Sequence, residues 1–388
     1  MSVTPRLRTV GILTSGGDCP GLNAVIRALT KSLEVQGVQV FGFLEGFTGL
    51  AENRYIRLES AQTSGLLTVG GTVLKTSRNK PHRMPTGDGE FRDMTGAAIE
   101  NYRRLNLDCL FCLGGGGTQK NAFRLLEESD INIITLPKTI DNDVWGTDIC
   151  FGFDTGMTIA TEALDRLHTT ASSHHRVMVV DIMGHNSGWL ALGSGIAGGA
   201  DVILIPEIPY DLEIVGESLL ARMERGKMFS IVAVAEGAVS KEDAQHLEEI
   251  AEAKRKAKTR KKKKAKDAPL KTEHTHEPVS AILAEHLEEV TGLETRVTSL
   301  GHLQRGGIPT PTDRLLCTQF GTVAANFAME GTFGCMVAKR GQDFVAVPLA
   351  EVVGNKRTVP LDHPWIESAR AVGTCLGDIP ATGYISEE

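Results

Sequence analysis

Short apolar runs alternate with amphipathic helical stretches along nearly the whole chain, and few folds accept that pattern. Strand candidates are Thr9–Leu13, Val38–Phe43, Cys109–Leu113, Ile131–Leu136, Val177–Asp181, Val202–Ile205, Phe229–Val234 and Thr295–Leu300. Between them the spacing predicts helices over Asn23–Val35, Met94–Leu105, Gln119–Glu128, Thr158–Thr170, Leu212–Arg225, Pro278–Val290 and Pro311–Ala328. Helices between strands supply the crossovers that parallel pairing requires, so the expected class is α/β with mainly parallel sheets flanked by helices. The chain has 388 residues, and single cores stop growing near ~250–300 residues, so two domains are expected.

Composition excludes several classes. No apolar run approaches the ~18–20 residues that span a bilayer, and the N-terminus lacks a signal peptide's apolar stretch, which points to a cytoplasmic protein without a membrane partner. The seven cysteines are scattered, several inside apolar runs, and read as buried thiols. Cys109 and Cys112 have CxxC spacing but share one strand, with no second pair following. The formal net charge is -7, yet Lys254–Lys266 is almost entirely basic, so the rest of the chain is more acidic than that total. An acidic body with one basic run is not a nucleic-acid-binding surface in the usual sense, although the run itself suits contact with RNA, an anionic surface or the protein's own acidic face. The run reads as a solvated excursion or a charged helix continuing from Glu242–Ala253, and His274 and His276 beyond it read as loop residues.

Ligands in such folds collect beyond the carboxyl ends of strands, where backbone N–H groups hold anions. Two glycine-rich turns fall at those positions. Thr9–Leu13 runs into Ser15-Gly16-Gly17-Asp18, and Cys109–Leu113 runs into Gly114-Gly115-Gly116-Gly117-Thr118. A third segment, Pro137-Lys138-Thr139-Ile140-Asp141-Asn142-Asp143, follows strand Ile131–Leu136. The Asp141/Asp143 pair suits a phosphoryl-transfer site, one carboxylate facing a hydroxyl and the other a metal, although alone it also suits an Asx turn at a helix cap.

These segments join Gly70-Gly71-Thr72, Ser172–Arg176, Met183-Gly184, Pro206-Glu207, Gly301-His302-Leu303-Gln304-Arg305-Gly306-Gly307 and Pro311-Thr312-Asp313-Arg314 in one order. On these residues the chain resembles the 6-phosphofructokinase family over about residues 8–347, broken by an insertion around 238–276. The resemblance implies two similar α/β domains with the active site in the cleft between them. It sets a donor-binding domain over 1–150, a fructose 6-phosphate domain over 151–350, and a C-terminal segment, 351–388, packing back on the first.

It further implies that ATP phosphorylates the C1 hydroxyl of fructose 6-phosphate with Mg²⁺, Asp141 acting as general base, Thr139 positioning the phosphoryl group and Asp143 holding the metal. Gly16, Gly17, Arg78, Gly114, Gly115, Gly116, Gly117, Thr118 and Lys138 would line the donor. Thr139, Ile140, Asp141, Met183, Gly184, His185 and Glu236 would meet the sugar. Arg176, Arg296, His302, Leu303, Gln304 and Arg305 would gather at its 6-phosphate. Arg176 and Arg296 would come from a neighbouring subunit of a homotetramer or homodimer.

The chain departs from the family pattern at several places. Gly116 stands where an acid supporting magnesium is expected, and His185 where an arginine is common. Gly117 points to ATP, because pyrophosphate users carry Asp there, whereas Lys138 is typical of pyrophosphate users and keeps that donor as the alternative. At the effector position of bacterial relatives Arg27 matches, but Lys31, His168, Met228 and Phe229 replace other basic residues, so insensitivity to phosphoenolpyruvate is expected. A catalytically impaired regulatory homologue and a different acceptor, such as sedoheptulose 7-phosphate, are the remaining readings; a diacylglycerol or NAD kinase lacks the arginine cluster.

Overall fold

The computed structural model describes residues 7–86, 89–246, 249 and 278–380. The Lys254–Lys266 run, His274 and His276 lie outside the described residues. In chain order the strands are β1 (Thr9–Ser15), β2 (Gln39–Phe43), β3 (Tyr55–Leu58), β4 (Met84–Pro85), β5 (Phe91–Arg92), β6 (Cys109–Gly114), β7 (Ile133–Pro137), β8 (Val177–Ile182), β9 (Val202–Leu204), β10 (Ser230–Ala235), β11 (Thr295–Ser299), β12 (Cys335–Arg340) and β13 (Asp343–Pro348).

Two compact units divide the chain, and each is discontinuous. The first comprises Met1–Ile159 and His302–Arg357, the second Ala160–Gly301 and Thr358–Glu388. In the first, the sheet order is β13-β12-β7-β6-β1-β2-β3, parallel except for the antiparallel edges β13 and β3. Strands β6 and β7 are buried along their whole length, which explains why they read as unbroken apolar runs rather than alternating ones. Leu13, Phe43, Leu110, Cys112, Ile133 and Met336 build the core on one face. Helices Leu22–Val35 and Pro311–Glu330 pack together, and Gly321 permits their approach: a Cβ there would lie 2.6 Å from that of Ala28.

The second unit carries an all-parallel sheet, β11-β8-β10-β9. Val177, Val179, Val202, Val232 and Val234 pack there against Leu283, Leu287 and Cys375. Full burial of each such side chain contributes ~1.5–3 kcal/mol before entropy is counted. All described cysteines are free and buried, and burial pushes the Cys109 and Cys112 thiols up. Among the described residues, no helix is long and apolar enough to cross a membrane.

The division differs from the expected boundaries at 150 and 350. Residues 302–350 belong to the first unit, because β12 pairs with β7 in its sheet. Of the last segment, 351–357 belongs to the first unit and the described residues 358–380 to the second. The Ile203 N–H donates to the Cys375 carbonyl, the Cys375 N–H to that of Asp201, and the Val359 N–H to the Glu207 carboxylate, which ties 358–380 to the second.

Candidate active site

The phosphate-type turns meet at one end of the first unit's sheet, because β1, β6 and β7 are adjacent and parallel. After β1 the chain turns through Gly16, whose φ of 89° is the left-handed region that glycine adopts without strain. The Gly16 N–H donates to the Ser77 carbonyl at 2.9 Å and the Thr76 hydroxyl to the Gly16 carbonyl at 2.7 Å, so the Thr76–Arg78 segment is sewn to the turn. After β6, helix Gly116–Glu127 begins with Gly115 at its N-cap and no side chain capping it. Its first N–H groups and positive dipole end are thereby left for an anion. A Cβ on Gly114 would strike the Thr118 side chain at 2.1 Å, whereas one on Gly116 or Gly117 would meet nothing within 4 Å.

After β7 comes Lys138, whose side chain is buried and whose Nζ donates to the Gly17 carbonyl. Burial lowers its pKa below the usual lysine range, with Arg305 adding to the effect and Cys19, Asp141 and Asp18 opposing it. The next residues form a turn: the Asp141 N–H donates to the Thr139 hydroxyl at 3.0 Å, and Asn142 adopts a φ of 53° while its side chain accepts from the Cys150 N–H at 2.8 Å. Asp143 is clasped from Lys356 and Arg357: Lys356 Nζ lies 3.5 Å from its carboxylate, and the Arg357 N–H donates to its carbonyl at 3.0 Å.

A cavity of about 320 Å³ opens onto Gly16, Gly17, Arg78, Gly115–Thr118, Lys138, Thr139, Asp141, Asp143 and Arg305. It therefore unites most of the residues expected around the donor with the expected base and metal ligand. Gly114 does not reach it, being closed against Thr118, and Ile140 is buried against Gly156. Gln304 is likewise fully buried, while His302 and Leu303 are exposed. Arg305 lies beside Gly17, its Nη1 3.5 Å from the Asp18 carbonyl, and so within the donor group of this unit. Ser15, Lys80 and Asn121 also line the cavity and were not expected. Asn121 follows Gly117 by four residues on one helix face, a spacing that is legible once the helix is placed.

In the second unit, β8 ends in the Met183-Gly184-His185 turn. The Glu236 carboxylate accepts from the His185 N–H at 2.7 Å, and Gly237 packs so tightly that a Cβ would lie 1.9 Å from the His185 carbonyl. Arg176 Nε and Arg296 Nη2 both bond Glu294, which brings the two expected phosphate arginines onto one carboxylate. The hydrogen bond from Arg176 holds Glu294 below the usual carboxylate range. At the expected effector position His168 is engaged elsewhere, its Nε2 2.7 Å from the Gly198 carbonyl and its ring edge-on to Phe229.

Among the described residues no cluster of three or more His, Cys, Asp or Glu forms a closed metal cage. Asp141 and Asp143 on one polar cavity instead suit Mg²⁺, which keeps several waters and is held through one or two carboxylates plus substrate phosphates.

The phosphofructokinase family model matches residues 9–328. The chain is 52% identical to the ATP-dependent 6-phosphofructokinase of Propionibacterium freudenreichii, covering 95% of this chain and 99% of that protein. It is 51% identical to the ATP-dependent 6-phosphofructokinase of Spirochaeta thermophila, with 96% and 99% covered. Among solved structures, Pichia pastoris phosphofructokinase in the T-state superposes with a TM-score of 0.74 at 31% identity; 90% of this chain is matched, but only 36% of that longer one. A pyrophosphate-dependent phosphofructokinase from Marinobacter aquaeolei, 22% identical with 92% and 86% covered, shares the fold at a TM-score of 0.72. With its family match and its strand-end glycine turns in agreement, this chain belongs to the phosphofructokinase family.

Proposed function

We propose that the chain is an ATP-dependent 6-phosphofructokinase, transferring the γ-phosphoryl group of ATP to the C1 hydroxyl of fructose 6-phosphate. The observation that carries this reading is the single cavity on which an uncapped helix N-terminus, four cationic side chains (Arg78, Lys80, Lys138 and Arg305) and the Thr139–Asp143 turn converge. Relatives covering nearly the whole chain bear that name.

The chemistry follows from charge. As the C1 oxygen attacks the γ-phosphorus, the bond from that phosphorus to the β,γ-bridging oxygen breaks and ADP leaves. The hydroxyl proton passes to the Asp141 carboxylate, whose backbone N–H is anchored on the Thr139 hydroxyl. Gly115–Gly117 N–H groups and the cations hold the donor phosphates, and Thr139 orients the transferring group. Magnesium, held by Asp143 with Asp141 beside it, would supply charge neutralisation at the phosphates. Gly116 carries no acid, so that duty rests on these two carboxylates.

Met183, Gly184, His185 and Glu236 are assigned to the sugar. Arg176 and Arg296 are assigned to its 6-phosphate in the neighbouring copy of a homodimer or homotetramer, with Glu294 holding them together until phosphate arrives. Guanidinium forks suit a dianion, and a shared site requires an oligomer. The working location is the cytoplasm. Insensitivity to phosphoenolpyruvate follows from the engagement of His168 with Gly198 and Phe229.

A second reading, pyrophosphate as donor, is favoured by Lys138 alone. Initial velocities with fructose 6-phosphate and Mg²⁺, ATP compared with pyrophosphate at matched concentrations, decide between them. Fructose 1,6-bisphosphate formed with ATP supports the first reading. Turnover with pyrophosphate alone would replace it by the second, and silence with both would sink each.

A further inference from the structure

We propose that Asn121 recognises the nucleoside end of the donor, as a specificity-determining contact for ATP over inorganic polyphosphates; this rests on the donor reading above. Asn121 is 7% exposed, lines the phosphate cavity, and its amide makes no hydrogen bond to another described residue. An amide whose polar atoms open onto a ligand cavity is placed to turn its donors and its acceptor to a bound molecule.

Its place in the helix says which part of the donor it meets. Helix Gly116–Glu127 presents its first turn to the phosphates, and Asn121 stands one turn further on, ~6 Å along the axis from Gly117. Helical side chains lean towards the N-terminus, so the residue at i+4 covers the surface over residue i. Here that residue is Gly117, beside which a Cβ would meet nothing within 4 Å. Asn121 thus borders the space that a side chain at 117 would fill, beyond the phosphates seated on the first turn.

The chemistry of the amide narrows the partner. The phosphates are acceptors and already face Arg78, Lys80, Lys138, Arg305 and the helix N–H groups. An asparagine carries an acceptor as well as donors, which is complementary to ribose hydroxyls that both give and receive hydrogen bonds. A donor ending in bare phosphate offers its carbonyl oxygen nothing.

The test is calorimetric binding of ADP and of inorganic tripolyphosphate to the full chain and to Asn121→Leu, with Asn121→Ala as a second, helix-favouring variant. The expected result is ADP affinity reduced about tenfold, as for one lost hydrogen bond to a buried group, with tripolyphosphate affinity unchanged within about twofold. Unchanged ADP binding overturns the assignment. Equal losses for both ligands overturn it too, since the amide would then read a phosphate. A wild-type protein that binds ADP yet fails to phosphorylate fructose 6-phosphate would sink the phosphofructokinase reading, while the ADP and tripolyphosphate comparison would still decide the role of Asn121.

Discussion

The buried ammonium of Lys138 donates to the carbonyl of Gly17, so a residue that follows β7 fixes the turn that follows β1. Desolvation depresses the lysine's folded pKa. The sign is then set: the folded state binds the proton less well than the unfolded one, so the charge costs stability below the folded pKa, and the cost fades as pH rises through it towards 10.5. Lys138→Met should therefore stabilise the fold by ~1–2 kcal/mol at neutral pH, because apolar replacement of a buried charge is often favourable. The same change should weaken donor binding. Urea unfolding checks the first effect; a destabilised variant would mean that the bond to Gly17 outweighs the burial of charge.

Asp141→Asn keeps the size of the side chain and removes its capacity to accept the C1 proton. Turnover should fall ~10²–10⁴-fold with little change in the KM for fructose 6-phosphate, since a general base acts mainly in the transition state. Steady-state kinetics at saturating ATP measures this. A variant with near-normal turnover would remove Asp141 from the role.

Legibility followed the range of the interactions. The strands β1, β6, β7, β8 and β10 were readable because burial on both faces leaves an unbroken apolar run. Helix Trp189–Ala197 was not, because it is buried on nearly every side and its apolar residues show no stripe. The β12–β13 hairpin was missed: its own pairing across Gly341-Gln342 is local, but β12 takes its place in the sheet by pairing with β7, some 200 residues earlier, a contact no local pattern encodes. The glycine turns and Asp141/Asp143 were legible since each follows a strand directly. Lys80 and Asn121 belong to no such turn, and their place on the cavity depends on the Gly16–Ser77 hydrogen bond and on the helix register.

Gly117→Asp tests the donor. The position has ordinary helical backbone and open space where a Cβ would stand, so the fold should tolerate aspartate. A carboxylate in the first turn of a helix is favourable by ~0.3–1 kcal/mol, so thermal stability should be unchanged or slightly raised. Catalysis should shift towards pyrophosphate, with the KM for ATP rising at least ~10-fold as like charges meet. Unchanged use of ATP would show that the donor's α-phosphate lies elsewhere.

Gly116→Asp supplies the acid that the family pattern carries at this position. A Cβ there would also meet nothing within 4 Å, so packing does not oppose it. The Mg²⁺ concentration for half-maximal velocity should fall several-fold if metal handling rests on Asp141 and Asp143 alone, because an added carboxylate strengthens a hard-cation site. An identical or higher requirement would place the metal away from residue 116.

Asp313 shows how the first unit's architecture responds to pH. Its carboxylate is fully buried and accepts from the Gly152 N–H at 2.9 Å, the Thr155 N–H at 2.8 Å and the Thr155 hydroxyl at 2.6 Å, joining the start of helix Phe153–His174 to helix Pro311–Glu330. Burial raises its pKa above 3.8 despite these donors, and neighbouring Asp154 adds to the rise. The folded state then binds the proton more tightly than the unfolded one. The resulting stability is fully present below 3.8 and is lost as pH rises through the folded value. Asp313→Asn has no such titration, so the stability of wild type minus that of the variant should decline across this window. Chemical denaturation from pH 4 upward measures the difference. At neutral pH the variant should still be ~1–3 kcal/mol less stable, because one amide oxygen cannot satisfy donors that two carboxylate oxygens now share. A difference that rises with pH would instead mean that the three hydrogen bonds outweigh burial and hold the folded pKa below the unfolded one.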